Sequence, residues 1–509
     1  MALSGRGPAG ESACDVLVRL SSRRAPGAAR AIRGARPLEA RVVSPPVRRG
    51  RSGARGGPRA GRVAGGAPPS PAREVAARVL ERVEADLSFA DSVLEAELTA
   101  RRLEARDAAL ATELVYGALR WQRYLDWILA PHSRRRLESL DPRVRVVLRM
   151  TAYQIAFLER VPAFAAVNDA VTLAPPTPGV GAFVNAVLRS FARRGARERE
   201  PAPPRNPSDA LAVRCSFPTW IVERWITRYG REDAESLMRA MNERPPLTLR
   251  ANRLRITRDA LGRRLAEEDG LEWRPTRLAP EGVVVGHGGA PGEWRTFAGG
   301  SFAVQDEASM LIARLLAPDP GSTVADVCAA PGTKTTHLAE LMDNRGRILA
   351  FDRESGRLAR VEEAAARLGI SIIDTHEGPV EALAPSFRAA CDGVLVDAPC
   401  SNLGVLRRNP EVKWRRRPSD LALASRRQSE ILDAAATMVR PGGRLVYATC
   451  SLEPEENEEV ARAFLAANTD FTPDPPEEFP LPLDADGWLR CLPHRHGTDG
   501  FSAVRFRRA

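Results

Sequence analysis

After Ser301 the chain repeats one pattern: a short apolar run that closes on a polar or reactive residue, then an amphipathic stretch of helical period. The runs fall near Thr323–Cys328, Arg347–Asp352, Ser371–Ile373, Val394–Asp397 and Arg444–Cys450. Helical stretches such as Arg357–Leu368 and Leu421–Val439 lie between them. Such alternation predicts a mainly parallel, doubly wound α/β sheet, because parallel neighbours need long crossovers that fold back as helices. Ligands of these sheets bind beyond the carboxyl ends of the strands. Asp326, Cys328, Asp352, Asp397 and Cys450 all fall there, and are expected to form one site.

The rest of the 509 residues divides by composition into further domains. Residues 1–69 are rich in Arg, Gly and Pro and predict a disordered tail. A mis-assigned start or an organellar transit peptide would share that composition. Order begins at Ser70-Pro71, an N-cap with proline at the first helical position. Amphipathic stretches at Asp107–Leu119, Pro142–Leu158 and Ala166–Leu188 then predict an all-α bundle over 70–193. A charged, proline-rich linker follows at 194–209. Residues 210–300 mix helical stretches (Ile221–Tyr229, Asp259–Glu267) with strand candidates (Leu247–Ala251, Val283–Val285), a small α+β module. The α/β domain occupies 301–509.

Net charge is a poor guide to partners here. The chain carries +11, but residues 1–70 hold fourteen Arg and three acids, so beyond them the two signs balance. Any nucleic-acid contact must rest on local clusters. No apolar run is long enough to span a membrane. Seven cysteines without a CxxC pair argue against a disulfide framework and a zinc site, and suit a reducing cytoplasm. Of 75 basic residues only Lys334 and Lys413 are lysines, which suggests places where a compact ammonium is wanted rather than a guanidinium.

The loop Cys328-Ala329-Ala330-Pro331-Gly332-Thr333-Lys334 has one usable glycine, Gly332, and is not a dinucleotide fingerprint. Without a pyrophosphate to cradle, it suits an amino-acid-like tail lying against a helix N-terminus. Asp352, ending the next strand, is placed to meet ribose hydroxyls. Cys400 in Asp397-Ala398-Pro399-Cys400-Ser401 and Cys450 in Thr449-Cys450-Ser451 put two thiols beside that loop. Such a pair suits chemistry in which one sulfur attacks and the other helps release.

These residues resemble the RsmB (Fmu/Sun) family of ribosomal RNA cytosine-5 methyltransferases. Glu113–Gly117 and Phe183–Arg189 are similar to the NusB-like helical domain of that family, as are Val304–Ser309 and Thr498–Phe501 to other family elements. The resemblance implies three parts: an all-α NusB-like RNA-binding bundle, a small α+β (RRM-like) module and a methyltransferase domain using S-adenosylmethionine. It implies Cys450 as nucleophile at cytosine carbon 6, Cys400 as the group assisting release, Asp397 at ring nitrogen 3, and Lys334 in the same pocket. For the cofactor it implies Cys328, Ala329, Ala330, Pro331, Gly332, Lys334, Asp352, Arg357, Asp397 and an adenine-contacting acid, assigned to Glu377. The chain departs from the family at Thr333 and Asn402-Leu403, where glycine and Gly-Thr are usual, and at the adenine acid, where Gly378 stands nearest. The basic run Arg407, Arg408, Lys413, Trp414 and Arg415 is expected to track RNA; Arg134–Arg136 is a weaker candidate.

The implied substrate is small-subunit (16S) ribosomal RNA before assembly, bound by a cytoplasmic monomer that needs no metal. Two alternatives remain open: a transfer RNA cytosine-5 methyltransferase, which generally lacks the NusB-like domain, and a non-catalytic RNA-binding assembly factor.

Overall fold

A computed structural model describes residues 69–86, 88–193, 200–286 and 288–509. The tail at 1–68 and the first part of the expected linker, 194–199, lie outside those residues.

Seven helices form the N-terminal bundle: α1 (Pro71–Asp86), α2 (Ala90–Arg101), α3 (Ala105–Arg120), α4 (Gln122–Leu129), α5 (Pro142–Phe157), α6 (Ala163–Leu173) and α7 (Val180–Ala192). The stretch expected to run through 166–188 is two helices, since Pro175 and Pro176 lack the N–H groups a continuing helix needs. Gly179, at φ 83°, then starts α7. One core joins them, with Val79, Leu114, Leu125, Val147 and Leu188 among its buried members.

Three helices follow: α8 (Pro207–Arg214), α9 (Thr219–Tyr229) and α10 (Arg231–Asn242). Asn206 caps α8 by accepting from Ser208 and Asp209 N–H, with Pro207 at the first position. These helices do not pack as part of the small sheet. Phe217, Trp225 and Met238 share a core with Leu403, Leu406, Val412 and Leu452 of the α/β domain. The small sheet has strand order β2-β3-β1-β4, with β1 (Leu247–Ala251), β2 (Trp273–Pro275), β3 (Gly282–Val285) and β4 (Phe302–Val304). All its pairings are antiparallel, and β4 carries it past residue 300. Helix α11 (Arg258–Asp269) covers it through Leu261 and Leu265.

The large sheet contains β5 (Thr323–Asp326), β6 (Arg347–Asp352), β7 (Ile373–Glu377), β8 (Cys391–Asp397), β9 (Val439–Thr449), β10 (Phe471–Pro473), β11 (Leu489–Cys491) and β12 (Phe501–Arg508). Its order is β10-β12-β9-β8-β5-β6-β7, with β11 also on β12. Strands β5 to β9 are parallel, and β10, β11 and β12 add an antiparallel edge. Helices α12 (Glu307–Leu316), α13 (Thr333–Leu341), α14 (Ser355–Leu368), α15 (Pro418–Ala436) and α16 (Glu458–Ala467) sandwich it. From β5 the chain winds one way to β6 and β7, then returns to place β8 on the other side. That reversal between β5 and β8 opens the crevice in which such sheets bind ligands.

Candidate active site

The loop after β5 is shaped by Gly332, which stands at φ 101° and precedes α13. A Cβ there would lie 3.0 Å from the Val361 Cα, so a side chain is excluded by both backbone angle and space. Asp352 braces the loop, its Oδ2 accepting from Ala330 N–H at 3.3 Å. Arg357 donates to the Ala330 carbonyl at 3.2 Å and pairs with Asp352 at 3.3 Å. Glu377 ends β7 in register with Asp352 and is exposed. Cys328 is partly exposed, and burial pushes its thiol up.

Beneath the loop, Asp326 is buried. One carboxylate oxygen accepts from Thr335 Oγ1 at 2.8 Å; the other has no partner among the described residues. Burial pushes its carboxyl up to about 7. Lys334 reaches across from α13 to the end of β8, its Nζ 2.6 Å from Asp397 Oδ2. Burial works against the ammonium, yet Asp397, with Cys450 and Asp326 beyond, holds its pKa above the ordinary lysine value.

The two thiols meet. Cys400 Sγ and Cys450 Sγ are 3.1 Å apart, and both are partly exposed. Strands β8 and β9 are parallel neighbours, so the loops leaving them start side by side. The hydrogen bond to Cys450, then burial, push the Cys400 thiol well above its ordinary value. Either sulfur can donate to the other across this contact. Asn402, one of the family departures, stands at φ 63°, a conformation asparagine tolerates better than most residues. Its Oδ1 lies 3.0 Å from Cys450 Sγ and 3.5 Å from Cys400 Sγ. Gly404 N–H donates to the Cys450 carbonyl at 2.8 Å, tying one thiol loop to the other.

The basic run behaves differently from expectation. Arg407 is buried, bonded to Asp499 at 2.5 Å and paired with Asp306 at 3.4 Å; Arg408 pairs with the same two carboxylates. Lys413 is buried, donating to the Arg120 carbonyl at 2.9 Å and to Asn242 Oδ1 at 3.0 Å, with its Nζ 4.1 Å from the Phe217 ring centre. Trp414 Nε1 donates to the Leu119 carbonyl, and Arg415 to the carbonyls of Val83 and Ser88. The expectation of an RNA-tracking strip at these five residues is corrected: Arg407 and Arg408 are spent on acids inside the α/β domain, and Lys413, Trp414 and Arg415 on polar groups of the helical segments that pack against it. Arg417 is exposed, and Arg416 Nε donates to the Ser401 carbonyl at 3.0 Å. Arg134, Arg135 and Arg136 are exposed.

Two features escaped the sequence reading. Asn402 was legible only as a departure from a pattern. Glu456, one of a cluster of acids after Cys450, is fully buried between the thiol loops. The serine after each cysteine, Ser401 and Ser451, was the available signal.

Residues 313–507 match the family model for the 16S rRNA methyltransferase RsmB/F, 70–193 match the NusB family, and 217–290 match the ferredoxin-like domain of RsmF/B-like methyltransferases. A Bacillus subtilis protein described as a probable ribosomal RNA small subunit methyltransferase B is 37% identical over 86% of this chain and 98% of its own length. The chain belongs to the RsmB/F methyltransferase family. A second member of this family, ribosomal RNA small subunit methyltransferase B of Pseudomonas putida, is 35% identical over 84% of this chain and 96% of its own. Among solved structures, PH0851 superposes with a TM-score of 0.74 at 30% identity, over 86% of this chain and 99% of that one. NSun6 from Pyrococcus horikoshii with SFG gives a TM-score of 0.52 at 25% identity, over 57% of this chain and 98% of that one. Membership carries the fold class with it: a NusB-like bundle, a small sheet module and a methyltransferase domain. Among the described residues no helix is long and apolar enough to cross a membrane, and no cluster of side chains is suited to a metal ion.

Proposed function

We propose that this chain methylates carbon 5 of a cytidine in 16S ribosomal RNA through a covalent bond to Cys450. The observation that carries the reading is the pair of sulfurs 3.1 Å apart beside the Lys334–Asp397 ion pair. Two thiols that close address the same ring, and a buried cation beside them favours thiolate at the attacking sulfur. By its resemblance to the family Cys450 is the nucleophile, adding to carbon 6 and making carbon 5 electron-rich, with the Lys334 ammonium near enough to act on this sulfur. Asp397 meets ring nitrogen 3, and a proton that Lys334 gives up across their 2.6 Å contact lets the carboxyl donate there and stabilise the negative charge that attack places on the ring. After carbon 5 has gained its methyl group, a base must take its proton; the freed electron pair re-forms the carbon 5–carbon 6 double bond as the carbon 6–sulfur bond breaks and returns the Cys450 thiolate. Cys400 assists that release.

S-adenosylmethionine fits the crevice at β5, and when bound it supplies the methyl group. Gly332, at φ 101°, lets the chain turn there, and the backbone of Cys328, Ala329, Ala330 and Pro331 lines the loop. Asp352 would take the ribose hydroxyls with Arg357 steadying the loop, Glu377 would lie toward the base, and Lys334 and Asp397 would close the inner end. The target base must be unpaired or flipped to reach both sulfurs. Unassembled small-subunit RNA meets that condition, and the chain acts on it as a monomer.

The test is methyl transfer from labelled cofactor to unmodified 16S and transfer RNA, followed by the two cysteine variants. Cys450→Ala is expected to abolish incorporation, and Cys400→Ala to accumulate a covalent protein–RNA complex visible on a denaturing gel. An adduct from Cys450→Ala would reverse the two roles. Incorporation into transfer RNA alone would move the substrate, and none into either RNA would favour a non-catalytic assembly factor.

A further inference from the structure

Each catalytic thiol is followed by a serine, and both serines reach one carboxylate. Glu456 is fully buried. Its Oε1 accepts from Ser401 N–H at 2.7 Å and from Gln428 Nε2 at 3.1 Å. Its Oε2 accepts from the hydroxyls of Ser401 and Ser451, which lie 3.2 Å from each other. Four donors fill the four acceptor positions of a carboxylate. The neighbouring Asn457, also buried, accepts from Thr449 Oγ1 at 2.7 Å and donates to the Ser451 carbonyl at 3.2 Å, so it holds the flanks of Cys450. Beyond Ala398, whose N–H donates to the Ala448 carbonyl, β8 and β9 no longer pair with each other. From there the thiol loops depend on ties of this kind.

We propose that Glu456 is a positioning residue that fastens the Cys400 loop to the Cys450 loop and so sets the separation of the two sulfurs. It rests on the reading that both thiols act on one base, and extends it to a residue that touches neither sulfur nor substrate. The tie works through hydrogen bonds between fixed partners, so its geometry outweighs its charge. A glutamine in its place keeps one oxygen for Ser401 N–H and Gln428, and offers an amide N–H to hydroxyls that can rotate to accept. An alanine leaves Ser401 N–H buried without a partner and the two serines joined only to each other.

The experiment compares Glu456→Ala, Glu456→Gln and the double variant Ser401→Ala/Ser451→Ala in the full chain. One readout is the rate at which diamide closes a Cys400–Cys450 disulfide, the two thiol hydrogens passing to the reagent as it becomes a hydrazine; mass spectrometry of the linked peptides follows it. The other is kcat against KM for RNA. Glu456→Ala and the double serine variant are expected to lose on the order of a hundredfold in kcat, with KM for RNA within about twofold, as for a misplacement near 1 Å. Their disulfide rates should fall by about tenfold or more, while Glu456→Gln recovers most of both. If the double serine variant folds and keeps the parental disulfide rate and kcat, the proposal fails. The disulfide readout involves no RNA, so it decides the role of Glu456 even if the methylation reading is wrong.

Discussion

Arg407 separates two accounts of the same basic run. As an RNA contact it would be replaceable at little cost to the fold. In the structure its guanidinium and that of Arg408 neutralise Asp306 and Asp499, three of the four being almost wholly shielded from solvent. Burial works against the charge of Asp499, yet Arg408 and Arg407 hold its pKa below the usual carboxylate range. Burial, with Asp499 beside it, raises that of Asp306. A unit charge pair at about 4 Å with an effective dielectric constant near 20 is worth roughly 4 kcal/mol. Removing one partner of a buried pair costs about 3–5 kcal/mol, because a charge is left uncompensated. Arg407→Gln is therefore expected to destabilise the α/β domain by about that amount. With one guanidinium gone, one of the two carboxylates takes up a proton in the folded state at a pH where the unfolded chain has lost it. The folded variant then binds more protons than the unfolded, so its stability falls as pH rises above the ordinary carboxylate pKa. The deficit should be smaller near pH 5 than near pH 8, and Asp499→Asn should restore part of it. Urea unfolding across that range, with hydrogen exchange of β12 to identify the domain, provides the assay. Unchanged stability, together with a loss of about one unit in the salt dependence of RNA binding, would refute the reasoning.

Two further changes probe the site and the joint. At Gly404 a Cβ would sit 2.2 Å from the Gly500 carbonyl oxygen and 2.7 Å from that of Cys450, both backbone atoms that cannot swing aside. Gly404→Ala should cut the methylation rate on the order of a hundredfold while calorimetry shows unchanged cofactor binding, because the cofactor loop lies on β5 and β6. Lys413 is enclosed by Phe217, Trp414, Arg120 and Asn242, which leaves no room for a guanidinium. Lys413→Arg should cost roughly 1–3 kcal/mol from overpacking, read from thermal unfolding; an unchanged midpoint would defeat the argument that the site selects a compact ammonium.

That last residue shows how composition carried structural information. In a chain that otherwise uses arginine, both lysines prove to be buried, one against Asp397 and one in the domain joint. The strands of the α/β domain were legible for a related reason. The central strands β5, β6 and β8 are short apolar runs, and a parallel strand buried on both faces must read that way; the edge strand β7, expected at 371–373, is the half-exposed Ile373–Glu377 instead. The antiparallel edge of β10, β11 and β12 was not legible. β12 pairs with β9 far back in the chain, and β10 and β11 are three residues each.

The sequence alone determined the winding of the sheet, the loop that follows β5, and the presence of two cysteine motifs at strand ends, because strand period and turn chemistry are local. Only the tertiary structure decided which polar groups face one another. It brought Cys400 and Cys450 to 3.1 Å, turned Arg407 and Lys413 inward, and placed Glu456 between two loops fifty residues apart in the chain. A charged residue reads the same in sequence whether it meets solvent, RNA or a buried partner; burial and the partner's position separate the three.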